Sequence, residues 1–501
     1  MTPSAPTDSH DQATTHSYLS ALRATLGEAA VLTGSDISET YTRDWTRDRH
    51  GQCLAVVKPA TSAEVSQVCA LSHATGIGII PQGGHTGLVG GAQRNRGDCI
   101  LISTQRMTAI EEIDADGMTC TVQAGAVLET VQTTLGEQGF QFGVAIGSQG
   151  SAQIGGLIST NAGGVNVLRH GMMGAQVLGL EMVLPQGQIL SSITGLHKDN
   201  RGPDPLRLAI GAEGVFGVVT RACLRILPRQ THSATAYAGC TSMQGALDLL
   251  RHIRSNGHEV LSAFEVMSQS CMPLAQSVDP SMILPVDAPV HVLIAFSSAM
   301  DLPLQDHLEA LLASAFEQGV VQDAVIAQSQ SQAARFWSIR EGLVEGQIKR
   351  GYHVRSDVSV RLGHVPQAAV ALETMLAEEF PGWIPQTYGH LGDGNLHFNA
   401  LPPESKSEEE ARAVGKTIEA RIFDIVTELG GSFSAEHGIG RTKAGWFRKT
   451  LPARHDLLAQ LKFTLDPKGI MNPGCLLAEN PTHPPDREDP KTTGTGSPAA
   501  K

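Results

Sequence analysis

The run Pro81-Gln82-Gly83-Gly84-His85-Thr86-Gly87-Leu88-Val89-Gly90-Gly91-Ala92 places five glycines in twelve residues, directly after the apolar Gly78-Ile79-Ile80. Glycine reaches positive φ without penalty and lets a ligand approach the main chain, so such a loop can aim successive N–H groups at one anion. A plain turn needs only one or two glycines, which makes a pyrophosphate the natural occupant. Two common nucleotide sites fail on spacing. No G-x-G-x-x-G follows a strand, since Gly76 and Gly78 are followed by Pro81 where the last glycine belongs. Gly415-Lys416-Thr417 lacks the P-loop glycine five residues earlier, where Glu410 stands, and Glu408 to Leu429 reads as a charged helix.

Pro81 to Gly91 resembles the pyrophosphate loop of flavoenzymes related to vanillyl-alcohol oxidase. Later stretches resemble the branch that holds D-2-hydroxyglutarate and D-lactate dehydrogenases, and the resemblance runs from about residue 40 to 476. It implies FAD, with an α+β (α/β) architecture: a two-subdomain FAD-binding domain, an antiparallel-sheet-and-helix substrate cap and a C-terminal helical return. The expected division is a disordered start at 1–16, an FAD-binding domain at 17–229, a cap with the metal site at 230–430, a segment completing both sites at 431–478, and a disordered tail at 479–501.

The 501 residues suffice for two or three domains, and no apolar run is long enough to span a bilayer. The polar start Met1 to His16 lacks a signal peptide's apolar core, so the expectation is a cytoplasmic protein, with peripheral contact to a respiratory membrane open. A formal charge of −13 argues against nucleic acid and would repel anionic substrates, so an acid-binding pocket needs local cations. The eight cysteines are scattered without a C-x-x-C pair and read as buried thiols rather than disulfides or metal ligands.

Along the chain, Thr61-Ser62-Ala63-Glu64 is a capping-box start; Val65, Val68 and Cys69 recur at helical spacing, and Gly76 stops the helix before a strand at Ile77 to Ile80. A strand is expected at Cys120 to Val122 and a helix at Val127 to Gln138. A second glycine-rich region, Gly147 to Gly164, is dominated by small residues and hydroxyls that suit packing against a large planar ligand. The resemblance implies that it lines the flavin, as does Gly211 to Thr220. The flavin-contacting residues so implied are Pro81, Gln82, Gly83, Gly84, His85, Thr86, Gly87 and Leu88 in the first loop. Gly147, Ser148, Gly150, Ser151, Ile154, Gly155, Gly156, Thr160, Asn161 and Gly163 follow in the second, then Gly214, Val219 and, in the closing run Leu465 to Gly474, Asn472. Gln230 to about Gln330 carries no polar constellation.

His390-Leu391-Gly392-Asp393-Gly394-Asn395-Leu396-His397 has a geometric reading. A two-residue Asp393-Gly394 turn would pair His390 with His397, bringing two imidazoles together, while Leu391 and Leu396 face the core. Such a pair can be a polar contact or half of a metal site. Ser434-Ala435-Glu436-His437-Gly438 adds a carboxylate, and two histidines with one glutamate form the ligand set of an open catalytic zinc. The resemblance implies that His390, His397 and Glu436 hold a divalent ion, Zn²⁺ or another such as Mn²⁺, and that His437 is the base, with His390 and His437 also at the substrate. It implies further that Arg340, Arg355 and Asn399 bind substrate, although any unaligned arginine is more often simply solvated.

Three departures stand out. Val344 occupies a position where those enzymes carry a substrate-binding threonine and leans towards a smaller acid such as D-lactate, whereas Arg340 with Arg355, which stands where they carry lysine, favours D-2-hydroxyglutarate. His85 stands where many relatives have asparagine or a small residue. In berberine-bridge-type flavoenzymes a Gly-Gly-His here is bonded covalently to the flavin, whereas a loop histidine can also simply hydrogen-bond. The expected function is oxidation of a D-2-hydroxy acid to the 2-oxo acid, with hydride passing to flavin N5. Electrons go on to an acceptor of the flavoprotein, cytochrome or quinone kind; a homodimer is left open. The rivals are a zinc hydrolase with structural glycine loops and a non-catalytic flavin-binding protein.

Overall fold

The computed structural model describes residues 9–45 and 49–478. Residues 9–16, expected in a disordered start, belong to the helix Ser9–Leu26. The cause is tertiary: Tyr18 and Leu22, one turn apart, are both buried, and the Tyr18 hydroxyl hydrogen-bonds the Ser72 hydroxyl. That anchored face supports the turns preceding it. The expectations for residues 1–8 and 479–501 lie outside the described residues.

The helix Ser62–Thr75 starts as its capping signal requires: Thr61 Oγ1 accepts from the Glu64 N–H at 3.1 Å, and Glu64 reaches back to the Ala60 N–H. Val65, Val68 and Cys69 are buried, and Gly76 closes the helix at φ +79°. The strand Gly78–Gln82 follows. It runs parallel to Cys99–Ser103, which is parallel in turn to Ala55–Val57, with Val31–Leu32 antiparallel at the edge. The glycine loop therefore leaves the end of a strand with almost no slack.

A second, antiparallel sheet runs in the order Ile110–Asp114, Thr119–Gln123, Val218–Arg225, Val177–Val183, Ile189–Ser191. The expected helix is present as Leu128–Glu137, and its Leu128, Val131 and Leu135 pack with Val122 and Leu224.

From His232 onward the strands join a seven-stranded antiparallel sheet, ordered Asp323–Ile326, His232–Cys240, Val290–Ser298, Leu261–Ser268, Ile384–His390, Asn395–Leu401, Val358–Ser359. Side chains alternate across a strand, so Val292 and Ile294 face a large core under the helices Met243–Gly257, Leu304–Glu317, Val365–Glu379 and Glu408–Glu428. Leu293 between them faces Phe336, Ile339 and Leu343 of the helix Gln330–Arg350. With both faces covered, any charged group on these strands must find a partner inside.

The chain returns through the helices Ala444–Thr450 and Pro452–Leu465. Its last described stretch lies beside the first sheet: Ile79 N–H donates to Ile470 O and Asn472 N–H to Ile79 O, each at 2.7 Å. All eight cysteines are free thiols, seven of them buried.

Candidate active site

Between the first two sheets and the returning chain lies a cleft of about 330 Å³. All eight proposed residues from Pro81 to Leu88 line it, with Gly147, Ser148, Gly155, Gly156, Thr160, Gly163, Gly214 and Val219. The loop is pinned at both ends by Gln82, whose amide donates to Tyr41 O and Ala92 O at 2.9 Å. It lies main chain against main chain on the second glycine region, since a Cβ on Gly84 would fall 1.9 Å from Ser151 O. Small residues are thus required here by contact between two loops as well as by any ligand. His85 adopts φ 55°, and its Nδ1 lies 3.0 Å from Thr40 O; its buried Nε2 has no hydrogen-bond partner.

Five of the proposed flavin residues are not on the cleft wall. Gly150 and Ser151 are exposed, with only the Ser151 main chain supporting Gly84, and Ile154 is fully buried in the adjacent core. Asn161 caps the Gly174 N–H, and Asn472 donates to Gly91 O and Glu213 O. These last two brace the cleft from behind.

The paired-histidine stretch folds with a register other than the expected one. His397 lies opposite Tyr388, not His390, and Leu391–Asp393 forms a short 3₁₀ turn ended by Gly394 at φ +84°. The pairing is displaced by two residues, which in a period of two leaves every side chain on its expected face. Leu391 and Leu396 are buried in the large core, and the His390 and His397 rings lie 5.3 Å apart in an edge-on arrangement.

Glu436 completes the group. One nitrogen of each histidine and one oxygen of Glu436 all lie within 4.8 Å of one another, with His390 Nε2 3.8 Å from Glu436 Oε1. That same oxygen accepts the Gly164 N–H at 2.7 Å, tying the carboxylate to the flavin-side backbone. The donor atoms, two imidazole nitrogens and one carboxylate oxygen, suit a cation that displaces a proton from the group. Burial disfavours a proton on His390, but Glu265 outweighs it and lifts the ring to about 9; burial raises the Glu436 carboxyl and drops His397 to about 3. A site that draws a proton into a nest of two imidazoles and a carboxylate has the donor chemistry for a divalent ion.

His437 lines the cleft beside Glu436. Burial holds its pKa below the usual histidine value, despite Asp357 Oδ2 3.8 Å from Nδ1. Arg340, on the helix Gln330–Arg350, is buried, with its guanidinium over the Tyr388 ring and Nε donating to Glu265 at 2.9 Å. Val344 lies one turn further on and is exposed. Arg355 donates from Nε to His353 Nε2 at 3.0 Å, next to the bridge between Val354 and Ala400. Asn399 is buried with its amide engaged: Oδ1 accepts the Ser356 N–H, and Nδ2 donates to Gln347 and to the Tyr388 hydroxyl. Both Nδ2 hydrogens are taken, so a substrate acceptor there would displace one of these partners, while Oδ1 keeps a second lone pair for a substrate donor.

Three buried acids escape a sequence reading. Asp357 accepts the N–H groups of Glu436 and His437 at 2.7 and 2.9 Å and the Asn395 amide at 2.8 Å, so one carboxylate fixes both functional residues of that loop. Glu213 accepts the N–H groups of Ile439 and Gly440. Glu265 lies directly across the sheet from His390. The stretch expected to lack a polar constellation therefore supplies one, and the signal is a lone acid in the apolar strand Leu261–Ser268.

Known proteins match this arrangement along most of its length. A family described as FAD binding domain matches residues 53–192, and one described as FAD linked oxidases, C-terminal domain, matches 229–476. The fold agrees with that of p-cresol methylhydroxylase, at a TM-score of 0.73 and 13% identity over 93% of this chain and 98% of that one. It agrees likewise with alkyldihydroxyacetonephosphate synthase, at 0.68 and 17% over 91% and 84%. The expected vanillyl-alcohol oxidase-type architecture holds. Relatives named D-2-hydroxyglutarate dehydrogenase include a mitochondrial one from Arabidopsis thaliana, 35% identical over 90% of this chain and 80% of its own length. Another, also mitochondrial, is from Bos taurus, 34% identical over 90% and 81%; a bacterial one from Xanthomonas citri pv. viticola is 34% identical over 87% and 92%. The chain belongs to the FAD-linked D-2-hydroxyglutarate dehydrogenase family. The cytoplasmic location expected from the polar start is overturned by the plant and animal relatives, which are named mitochondrial. Among the described residues no helix is long and apolar enough to cross a membrane.

Proposed function

We propose that this enzyme oxidises D-2-hydroxyglutarate, with D-lactate the next substrate, to the 2-oxo acid, using a divalent ion held by His390, His397 and Glu436. The observation that carries the reading is the contiguity of those ligands with the glycine-lined cleft, into which both Glu436 and His437 project. Bound FAD supplies the hydride acceptor at N5. The ion, Zn²⁺ or Mn²⁺, supplies Lewis acidity that lowers the pKa of the substrate hydroxyl.

The chain's own residues do the rest. Arg340, whose Nε is engaged by Glu265, presents its terminal nitrogens to a carboxylate, and Arg355 supplies a second cation for a dicarboxylic acid. His437, kept neutral by burial, takes the hydroxyl proton on the ring nitrogen away from Asp357 as the Cα–H leaves. The packed loops 83–91 and 147–156 keep water from the reacting face. The hydrolase and non-catalytic readings lose their ground in an FAD-linked dehydrogenase family.

The test is a panel of D- and L-2-hydroxy acids added anaerobically to the yellow protein, and to turnover with an artificial electron acceptor. D-2-hydroxyglutarate bleaches the flavin fastest. Bleaching by L-enantiomers alone, or by none of the panel, overturns the reading.

A further inference from the structure

Glu265 is 1% exposed in the middle of the seven-stranded sheet, and its two oxygens serve two different sites. Oε1 accepts from His390 Nδ1 at 2.6 Å, and Oε2 accepts from Arg340 Nε at 2.9 Å. Burying a charged triad adds nothing to stability that well-packed apolar side chains would not match, so its value lies in what it orders. We propose that Glu265 is a positioning residue that fixes the tautomer of His390 and the orientation of Arg340 together, coupling the metal ligand to the substrate cation. This rests on the metal site proposed above.

An ionised carboxylate only accepts. Facing it, His390 must keep a hydrogen on Nδ1, so the proton it gives up to an ion is the one on Nε2, on the side of Glu436. Arg340 only donates, so holding its Nε fixes the plane of the guanidinium over the Tyr388 ring. The cross-strand pairing of Glu265 with His390 sets the distance without long flexible stems.

Glu265→Gln separates this from a space-filling role, because the amide matches the carboxylate in shape but offers one acceptor and one donor. Arg340 cannot accept; the imidazole can. The amide oxygen therefore stays on Arg340 and the NH₂ faces His390, whose proton moves to Nε2 and occupies the lone pair a metal needs. In metal-stripped flavoprotein titrated with Zn²⁺ against a chromophoric chelator, Glu265→Gln binds the ion about 10–100-fold more weakly than wild type, with flavin content unchanged. Glu265→Asp, again acceptor only, recovers most of the affinity. Equal affinity of wild type and Glu265→Gln overturns the proposal and leaves the metal site standing. Failure of wild type to take up one ion at this site overturns both. Should Glu265→Gln fail to hold flavin, ¹⁵N shifts of labelled histidines in the Zn²⁺-loaded wild type decide: His390 carries its proton on Nδ1, and a proton on Nε2 overturns the proposal.

Discussion

Glu436 and His437 are consecutive and both reach the cleft wall where the chain bends, and Glu436 also closes the ligand group. Asp357 fixes the main chain of both. Replacing His437 by glutamine should lower kcat by about 10²–10⁴-fold, the range for loss of a general base, while metal content and flavin absorbance stay at wild-type levels. The pH dependence has a definite sign. The base works neutral, and burial holds its pKa below 6.5, so kcat/KM stays level as pH drops toward 6.5 and falls only below it. A limb above pH 6.5 in the pH profile would contradict that assignment. At this scale the convergence of His390, His397 and Glu436 was legible through the resemblance, since local spacing alone offered a histidine pair that could equally be a polar contact. Glu265 was not, since its partners Arg340 and His390 lie 75 and 125 residues away in sequence.

The two glycine-rich loops show how far an element can be inferred from composition. Their role as a cleft wall was legible; that Gly84 presses on the Ser151 carbonyl was not, because nothing in either loop names the other. Gly84→Ala should therefore open the loops and lose bound flavin on gel filtration, whereas Gly445→Ala, away from the cleft and with nothing within 4 Å of its new methyl, should keep it. Equal flavin retention by the two variants would refute the packing argument. The hairpin was legible in parity but not in register. Asp393-Gly394 reads as a two-residue turn, yet Leu391–Asp393 coils into a 3₁₀ turn with Gly394 left-handed, and Gly389 is already at φ +155°. Because the pairing moved by two residues, both leucines stayed in the core and both histidines at the site.

Across the molecule, the flavin-side sheets and the returning chain meet at Glu213, which accepts two consecutive N–H groups from the loop after His437. Glu213→Gln leaves one of those N–H groups facing a donor, at a cost of about 1–3 kcal/mol. The expected outcome is faster flavin release at moderate urea with little change in far-ultraviolet circular dichroism; an unchanged release rate would show that the junction does not depend on this acid. The overall architecture was legible through the family resemblance that the glycine loop and later motifs carry, while periodicity gave only single elements such as the helix Ser62–Thr75. The N-terminal helix was not, since it depends on Tyr18 reaching Ser72.

Wall residues of the cleft span positions 81 to 437, and the strand that leads into it is flanked by Ile470 and Asn472. All of that wall except Glu436 and His437 lies before residue 220, so a ribosome still threading out the final segment displays a receptacle that lacks one edge. That edge and the brace on the strand leading into the loop arrive together, since a chain cut short after residue 430 lacks Glu436, His437 and the bonds of Ile470 and Asn472 to Ile79.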